Sequence, residues 1–367
     1  MREETRRSKV DVDRKTAQAV GAGILHWYEE VKRDLPWRRT RDPYKIWVSE
    51  VMLQQTRVET VIPYWNRFIE LFPTIEQLAE APEPNVLKAW EGLGYYSRVR
   101  NLQKGAQVVR DKFGGRVPDT LDEISTLPGV GPYTAGAILS IAYDVDVPAV
   151  DGNVFRVLSR IFLIEEDIMK PKTRRTFESL AEFLIPPGRA ASFNQGLMEL
   201  GATICIPKNP RCHACPVQAK CRAQEEGIQE QLPIKEKKKP PRPVDMTAAL
   251  LRDGDRVLIR RRPESGLLAG MWEFPGGERL DGMTLEESLT AHLRDAFGVQ
   301  ANPSSLFAQV QHTFSHLQWD MRVYECALTA GQVREQEDVK WVAISDLSTY
   351  TFPVAHGKVV KELSGLV

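Results

Sequence analysis

The 367-residue chain is 42% apolar and 27% charged, with 49 Lys and Arg set against 49 Asp and Glu. That length gives room for two or three domains with a sizeable core, and a balanced composition with 24 Pro and 25 Gly excludes collagenous, low-complexity and acidic disordered chains. No apolar run approaches the ~20 residues needed to span a bilayer, and the polar start MREETRRSKV lacks the apolar stretch of a secretion signal, so a soluble cytosolic protein is expected.

From the N-terminus, the first half reads as helices separated by Pro and Gly. Asp42 can cap a helix with Pro43 at its first position. On that helix Glu50 has Ile46, Trp47 and Leu53 as same-face neighbours, so it is a carboxylate on an apolar stripe, whose plainest reading is a pair with an arginine at the stripe's edge. Amphipathic helices follow in VETVIPYWNRFIELF and EPNVLKAWEGL. Leu127-Pro128-Gly129-Val130-Gly131 then turns tightly into the apolar helix YTAGAILSIAY. Two glycines two apart allow close approach and positive φ, leaving amide N–H groups at a helix start free to hold a phosphate. A junction that uses Gly merely for packing reads equally well. Further on, Asp151 opens the helix NVFRVLSRIFLI as its N-cap.

Four of the five cysteines, Cys205, Cys212, Cys215 and Cys221, follow at C-x6-C-x2-C-x5-C. In a reducing cytosol that density points to a metal centre rather than to disulfides. Zinc modules usually pair two tight knuckles around a longer loop, and here one pair alone is tight. Four thiolates in one compact loop instead suit a 4Fe-4S cube. Cys326, in the strand-like MRVYECAL, reads as a small buried apolar side chain.

Zero net charge argues at first against a nucleic-acid partner, because phosphate neutralisation by Lys and Arg dominates that affinity. The balance breaks by region: residues 201–243 hold 9 basic and 4 acidic side chains, whereas residues 244–367 hold 12 and 17. Lys208, Arg211, Lys220 and Arg222 interleave with the cysteines without an acid between 205 and 222. The stretch PIKEKKKPPRP then reads as an extended, solvated linker. Beyond it the pattern becomes α+β: two strands flank Asp253-Gly254, the helix SLTAHLRDAFG follows, and LQWDMRVYECAL and VKWVAI supply further strands. The expected domains are 1–228, a linker at 229–243, and 244–367.

LPGVG before a helix, VDGNVFRV, and the four-cysteine loop together resemble the helix-hairpin-helix DNA glycosylases of the endonuclease III type. Within them, LPWR at 35–38, WVSEVMLQQTRVETVIPYW at 47–65, EGLGYYSRVRNL at 91–102 and FNQGLMELGATIC at 193–205 resemble the adenine DNA glycosylase (MutY) family, over nearly all of residues 20–225. The resemblance implies an all-α helix-hairpin-helix domain with one 4Fe-4S cluster on the loop at 205–221. It also implies double-stranded DNA carrying adenine opposite 8-oxoguanine or guanine as partner, with no membrane, a monomer, and a bacterial cytoplasm, at the nucleoid, as location. Glu50 becomes the acid that protonates the departing adenine, its proton retained by desolvation. Asp151 becomes the carboxylate that steadies the oxocarbenium-like sugar or transiently bonds to its C1′, with Asn153 and Tyr133 holding the site's hydrogen bonds. Tyr133 stands where the bifunctional enzymes carry a lysine, so a monofunctional glycosylase that leaves an abasic site is expected. Gln55 and Tyr95 match residues that wedge beside the partner base, with Leu53 in the same region. Trp37, Arg38 and Gln195 match positions around the extruded adenine, and Gly129 and Gly131 match the DNA-backbone contact.

LLAGMWEFPGGERL at 267–280, followed by a helix ending at Phe297-Gly298-Val299, resembles a Nudix (MutT-like) domain. The acids of a working Nudix box would fall on Ala296, Asp295 and His292, and its arginine on Ala291, so one carboxylate of three is present. That is too few for a magnesium site. A retained fold without hydrolysis is expected, with Phe314, Ser315 and His316 matching a loop that contacts 8-oxoguanine.

Overall fold

The computed structural model describes residues 12–236, 240–314 and 316–365. They divide into two compact units, one of residues 12–82 and 97–236, the other of residues 83–96 and 240–365.

The first unit is helical. α1 (Arg14–Val31), α2 (Pro43–Leu53), α3 (Val58–Leu71) and α4 (Ile75–Glu80) precede α5 (Glu83–Trp90), which groups with the second unit. α6 (Ser97–Phe113), α7 (Leu121–Ile124), α8 (Pro132–Tyr143), α9 (Gly152–Phe162), α10 (Pro171–Leu184), α11 (Ala190–Thr203) and the short α12 (Arg222–Glu225) follow. Side-chain caps set several starts: Asp13 accepts from Thr16 N, Asp42 from Tyr44 N, and Thr74 closes a capping box with Gln77. Much of the core lies on α9, whose Val154, Val157, Leu158 and Ile161 pack with Ile24 of α1 and Phe193 and Leu197 of α11. Each such side chain contributes roughly 1.5–3 kcal/mol by leaving water. No helix among the described residues is long and apolar enough to cross a membrane.

The stretch read as linker from 229 is in fact packed through Ile234. Leu232 is buried and its carbonyl accepts from Arg160 Nε at 3.1 Å, while Ile234 O accepts from Ile168 N at 3.1 Å. Charge and proline content identified only the following, basic part, because the partners of Leu232 and Ile234 lie more than sixty residues earlier. Strand structure then begins at Arg242, two residues before the expected second domain.

The second unit holds β1 (Arg242–Asp253), β2 (Arg256–Arg261), β3 (Trp272–Glu273), β4 (Gly276–Glu278), α13 (Leu285–Phe297), β5 (Gln300–Thr313), β6 (Leu317–Ala330), β7 (Val339–Ala343) and α14 (Val354–Leu363). The sheet is mixed, in the order β3-β2-β1-β6-β5, with β4 against β1 and β7 against β2; β1 and β6 run parallel. Asp253 pairs with Arg256 across the expected hairpin. Ala248 and Leu250 of β1 pack with Ala355 and Val359 of α14, whereas Ala249 and Leu251 pack with Leu289 and Leu293 of α13. A strand covered on both faces explains the unbroken apolar run in AALL. Within this unit Lys88 Nζ donates to Tyr350 O at 3.2 Å and Phe352 N donates to Glu91 Oε1 at 3.2 Å, which ties the 83–96 segment to it.

Candidate active site and cysteine loop

Glu50 is carried on α2, whose Asp42 cap and Pro43 start hold as the sequence implied. Its side chain is 5% exposed, and where the sequence suggests an arginine at the stripe's edge, the Tyr133 hydroxyl donates to Glu50 Oε2 at 2.5 Å. Burial pushes the Glu50 carboxyl up to about 7, the Asp151 charge adding to the rise while the Tyr133 hydrogen bond and the Arg38 charge oppose it. Tyr133 lies on the first turn of α8, and its hydroxyl is also 3.4 Å from Met198 Sδ on α11.

Asp151 is the N-cap of α9, Oδ1 accepting from Val154 N at 2.8 Å and Oδ2 from Asn153 Nδ2 at 2.8 Å. Burial raises its pKa above the usual value, against those two hydrogen bonds and the Arg156 charge. Asn153 is held in turn by Arg156 Nη2 at 2.8 Å, and Arg156 also donates to Gly201 O at 2.7 Å and Cys205 O at 2.8 Å. This guanidinium thus joins the Asp151–Asn153 pair to the first cysteine. Gly201 permits the approach, since a Cβ there would meet Asn153 Cβ at 2.6 Å.

At the hairpin, the positive φ that glycine permits is taken up at Gly129 (φ 76), where a Cβ would also meet Asn101 Cβ at 2.7 Å. Gly131 is extended (φ −93, ψ 179) and is the N-cap of α8, with open space in front of it. What Gly131 provides is bare backbone at a helix start, not a left-handed turn.

Trp37 and Arg38 lie on a short turn, Pro36–Arg39. Trp37 is buried edge-on against Trp65, 6.2 Å between centroids. Arg38 donates to Glu199 Oε2 at 2.8 Å and stacks over Tyr28 at 5.3 Å. Gln195 is half-buried on α11 and donates to Ala191 O at 3.1 Å. Leu53 ends α2, and Gln55 follows exposed with φ 59. Arg98 Nη1 donates to Val51 O at 2.9 Å and Met52 O at 3.1 Å and also to Gln54 O, so a cation caps the helix end ahead of Gln55. Tyr95 is 45% exposed with φ 48, in the 83–96 segment of the second unit.

The four cysteines line one cavity with Arg160 and Ile204. Arg160 is 1% exposed and donates to Cys205 Sγ at 3.3 Å, Ile206 O at 2.8 Å and Pro207 O at 2.9 Å. Burial pushes the Cys215 thiol up to about 12. Among the described residues no three His, Cys, Asp or Glu converge closely enough to hold a single metal ion. Lys208, Arg211, Lys220 and Arg222 are all exposed.

In the second unit, Phe314 follows β5 and packs edge-on to Trp319 at 4.8 Å. His316 is exposed, its carbonyl accepting from Arg242 N at 3.0 Å, and Ser315 lies outside the described residues. Ala291, His292, Asp295 and Ala296 stand on α13; His292 Nε2 meets Glu278 O at 2.8 Å and Asp295 pairs with Arg294 at 3.2 Å.

Sequence reading missed Glu199, Arg33, Arg156 and Arg160. Arg33 and Arg38 converge on Glu199 from more than 160 positions away, and a local window shows only a glutamate in an apolar helix.

Residues 48–183 match the HhH-GPD superfamily base excision DNA repair protein model, and residues 247–362 match the NUDIX domain model. The human adenine DNA glycosylase is 37% identical, over 95% of this chain and 74% of the relative. That of Buchnera aphidicola subsp. Schizaphis graminum is 42% identical, over 59% of this chain and 62% of the relative. Among solved structures, a thermostable thymine-DNA glycosylase is 32% identical with TM-score 0.53, covering 59% of this chain and all of that one. With the helical unit, the mixed-sheet unit and this likeness together, the chain belongs to the adenine DNA glycosylase family, DNA N-glycosylases of base excision repair.

Proposed function

We propose that the protein hydrolyses the N-glycosidic bond of adenine paired with 8-oxoguanine or guanine, and leaves an abasic site without cutting the strand. The observation that carries this reading is a buried Glu50 whose hydrogen-bond partner is a neutral hydroxyl and whose neighbour is a second carboxylate, Asp151. A carboxyl held at about 7 keeps its proton near neutral pH and is the acid. As the C1′–N bond breaks, its electron pair goes to the adenine ring, and Glu50 delivers its proton there. Asp151, held by Asn153 and the Val154 amide, faces the developing positive sugar. Water adds at C1′ and gives up a proton to a carboxylate. General acid catalysis of this kind is worth about 10²–10⁴ in rate. No amine is used: Tyr133 occupies the position of the bifunctional lysine, and its hydroxyl is engaged with Glu50.

Cys205, Cys212, Cys215 and Cys221 would hold one 4Fe-4S cluster. Four thiols lining one cavity support this reading. When bound, the cluster would order a loop whose exposed Lys208, Arg211, Lys220 and Arg222 meet the DNA backbone. Gly129 and Gly131 would receive a phosphate at the start of α8. Leu53, Gln55 and Tyr95 would replace the stacking lost when the base is extruded, a cost of a few kcal/mol. Trp37, Arg38 and Gln195 would surround the base, and Phe314, Ser315 and His316 would read the 8-oxoguanine. The helical unit would form the glycosylase domain and the mixed-sheet unit a Nudix-like reader without hydrolase chemistry, acting on DNA in the cytoplasm.

Single-turnover reaction of a duplex with adenine opposite 8-oxoguanine tests the whole reading. Free adenine with a strand intact until alkali is expected. Direct nicking would mean a lyase, release of thymine from a T:G duplex alone would mean a pyrimidine enzyme, and no release would mean a binding module.

A further inference from the structure

Glu199 enters no step above. It lies on α11 with its side chain 2% exposed, taking Arg33 Nε at 2.6 Å and Arg33 Nη2 at 2.9 Å on its two oxygens, and Arg38 Nη2 at 2.8 Å on the second. One carboxylate therefore serves two guanidiniums, and the cluster keeps one positive charge. Arg38 is pinned further: Nη1 donates to Arg33 O at 3.1 Å and the guanidinium lies over the Tyr28 ring. The preceding residue on α11, Met198, meets the hydroxyl of Tyr133, so the helix that carries Glu199 also borders the group hydrogen-bonded to Glu50.

Tyr133 of α8 is hydrogen-bonded to Glu50, and the charges of Asp151 before α9 and Arg38 of the 36–39 turn act on it in opposite directions. Those facing Glu199 are Arg33, Arg38 and, on α1, Tyr28, while Glu59 of α3 acts on Arg33. We propose that Glu199 is a positioning residue for the base pocket: it holds Arg33 and Arg38 in place and cancels one of their two charges, so that Arg38 acts on Glu50 from a fixed site with a reduced field. Without that carboxylate's charge, the unopposed guanidiniums favour ionised Glu50 and remove its proton before the base arrives.

The inference rests on Glu50 as the acid, and the test separates the two. Single-turnover rates on a duplex with adenine opposite 8-oxoguanine are measured from about pH 5.5 to 9, a range set around the raised Glu50 value of about 7, for the wild type, Glu199→Gln, Glu199→Asp and Glu50→Gln. Glu199→Gln keeps the size and loses the charge and one acceptor oxygen; its basic limb moves down by about one pH unit, so its rate at pH 8, taken as a fraction of its own low-pH plateau, falls about tenfold below the wild-type fraction. Glu199→Asp keeps the charge with poorer reach; its limb stays in place and its plateau falls. A Glu199→Gln profile parallel to wild type, at the same or a lower plateau, overturns the proposal. Should Glu199→Gln melt below the assay temperature, the aspartate variant decides alone: a fixed limb supports the proposal and a shifted limb overturns it. Full activity in Glu50→Gln would instead overturn the acid assignment itself.

Discussion

The candidate site of the helical unit and the charged cluster of the sheet unit bury glutamates to the same degree and treat them in opposite ways. Glu50 is 5% exposed and Glu273 is 4% exposed. Glu50 has a tyrosine hydroxyl as its partner, and burial carries its pKa up to about 7. Glu273 receives Arg260 Nε at 2.9 Å and Arg262 Nη1 at 2.5 Å, with His356 Nε2 at 3.8 Å. Burial opposes its ionisation too, yet these neighbours outweigh it and hold its pKa below the ordinary value. Burial alone therefore does not make a catalytic acid. Burial against a hydroxyl raises a carboxyl's pKa and favours its protonated form, whereas burial between cations holds it ionised.

The sharpest way to break this contrast is to neutralise each glutamate. Glu50→Gln is expected to lower the single-turnover rate by about 10²–10⁴. It should also stabilise the fold above neutral pH. The folded carboxyl is raised from the ordinary 4.5 to about 7, so its favourable share is complete below the unfolded value and lost as pH rises through the folded one. At pH 8 the glutamine removes a penalty on the order of 1–3 kcal/mol, read by urea unfolding. Glu273→Gln should do the reverse, costing about 3–5 kcal/mol because Arg260 and Arg262 are left facing a neutral group. Loss of stability in both variants would erase the contrast.

A smaller effect concerns the charge distribution. Replacing Lys208, Arg211, Lys220 and Arg222 with Gln should flatten the dependence of DNA affinity on salt, by about 0.9 in logarithmic slope for each phosphate no longer neutralised. An unchanged slope would mean that the cysteine loop does not meet the backbone.

Much of the candidate site's local structure was legible because its signals are local. Asp42 and Asp151 precede their helices as caps, the four cysteines crowd one loop, and Asp253-Gly254 sits between two apolar runs. What stayed hidden is long-range pairing. The plain reading of Glu50 gave it an arginine at the stripe's edge, and the arginines near the pocket instead went to Glu199. The packed end of the first unit was read as linker because the burial of Leu232 depends on Arg160, far back in the chain. Two glycines in LPGVG look alike in sequence, and only the path of the chain makes Gly129 left-handed and Gly131 a helix cap.

The central claim is that Glu50 is protonated near neutral pH in the free protein. Infrared difference spectroscopy of the wild type against Glu50→Gln measures it directly through the carbonyl band of a protonated carboxyl. The account predicts a band lost with a midpoint near the value of about 7 that burial imposes. A midpoint at the ordinary carboxylate value of 4.5 would contradict it.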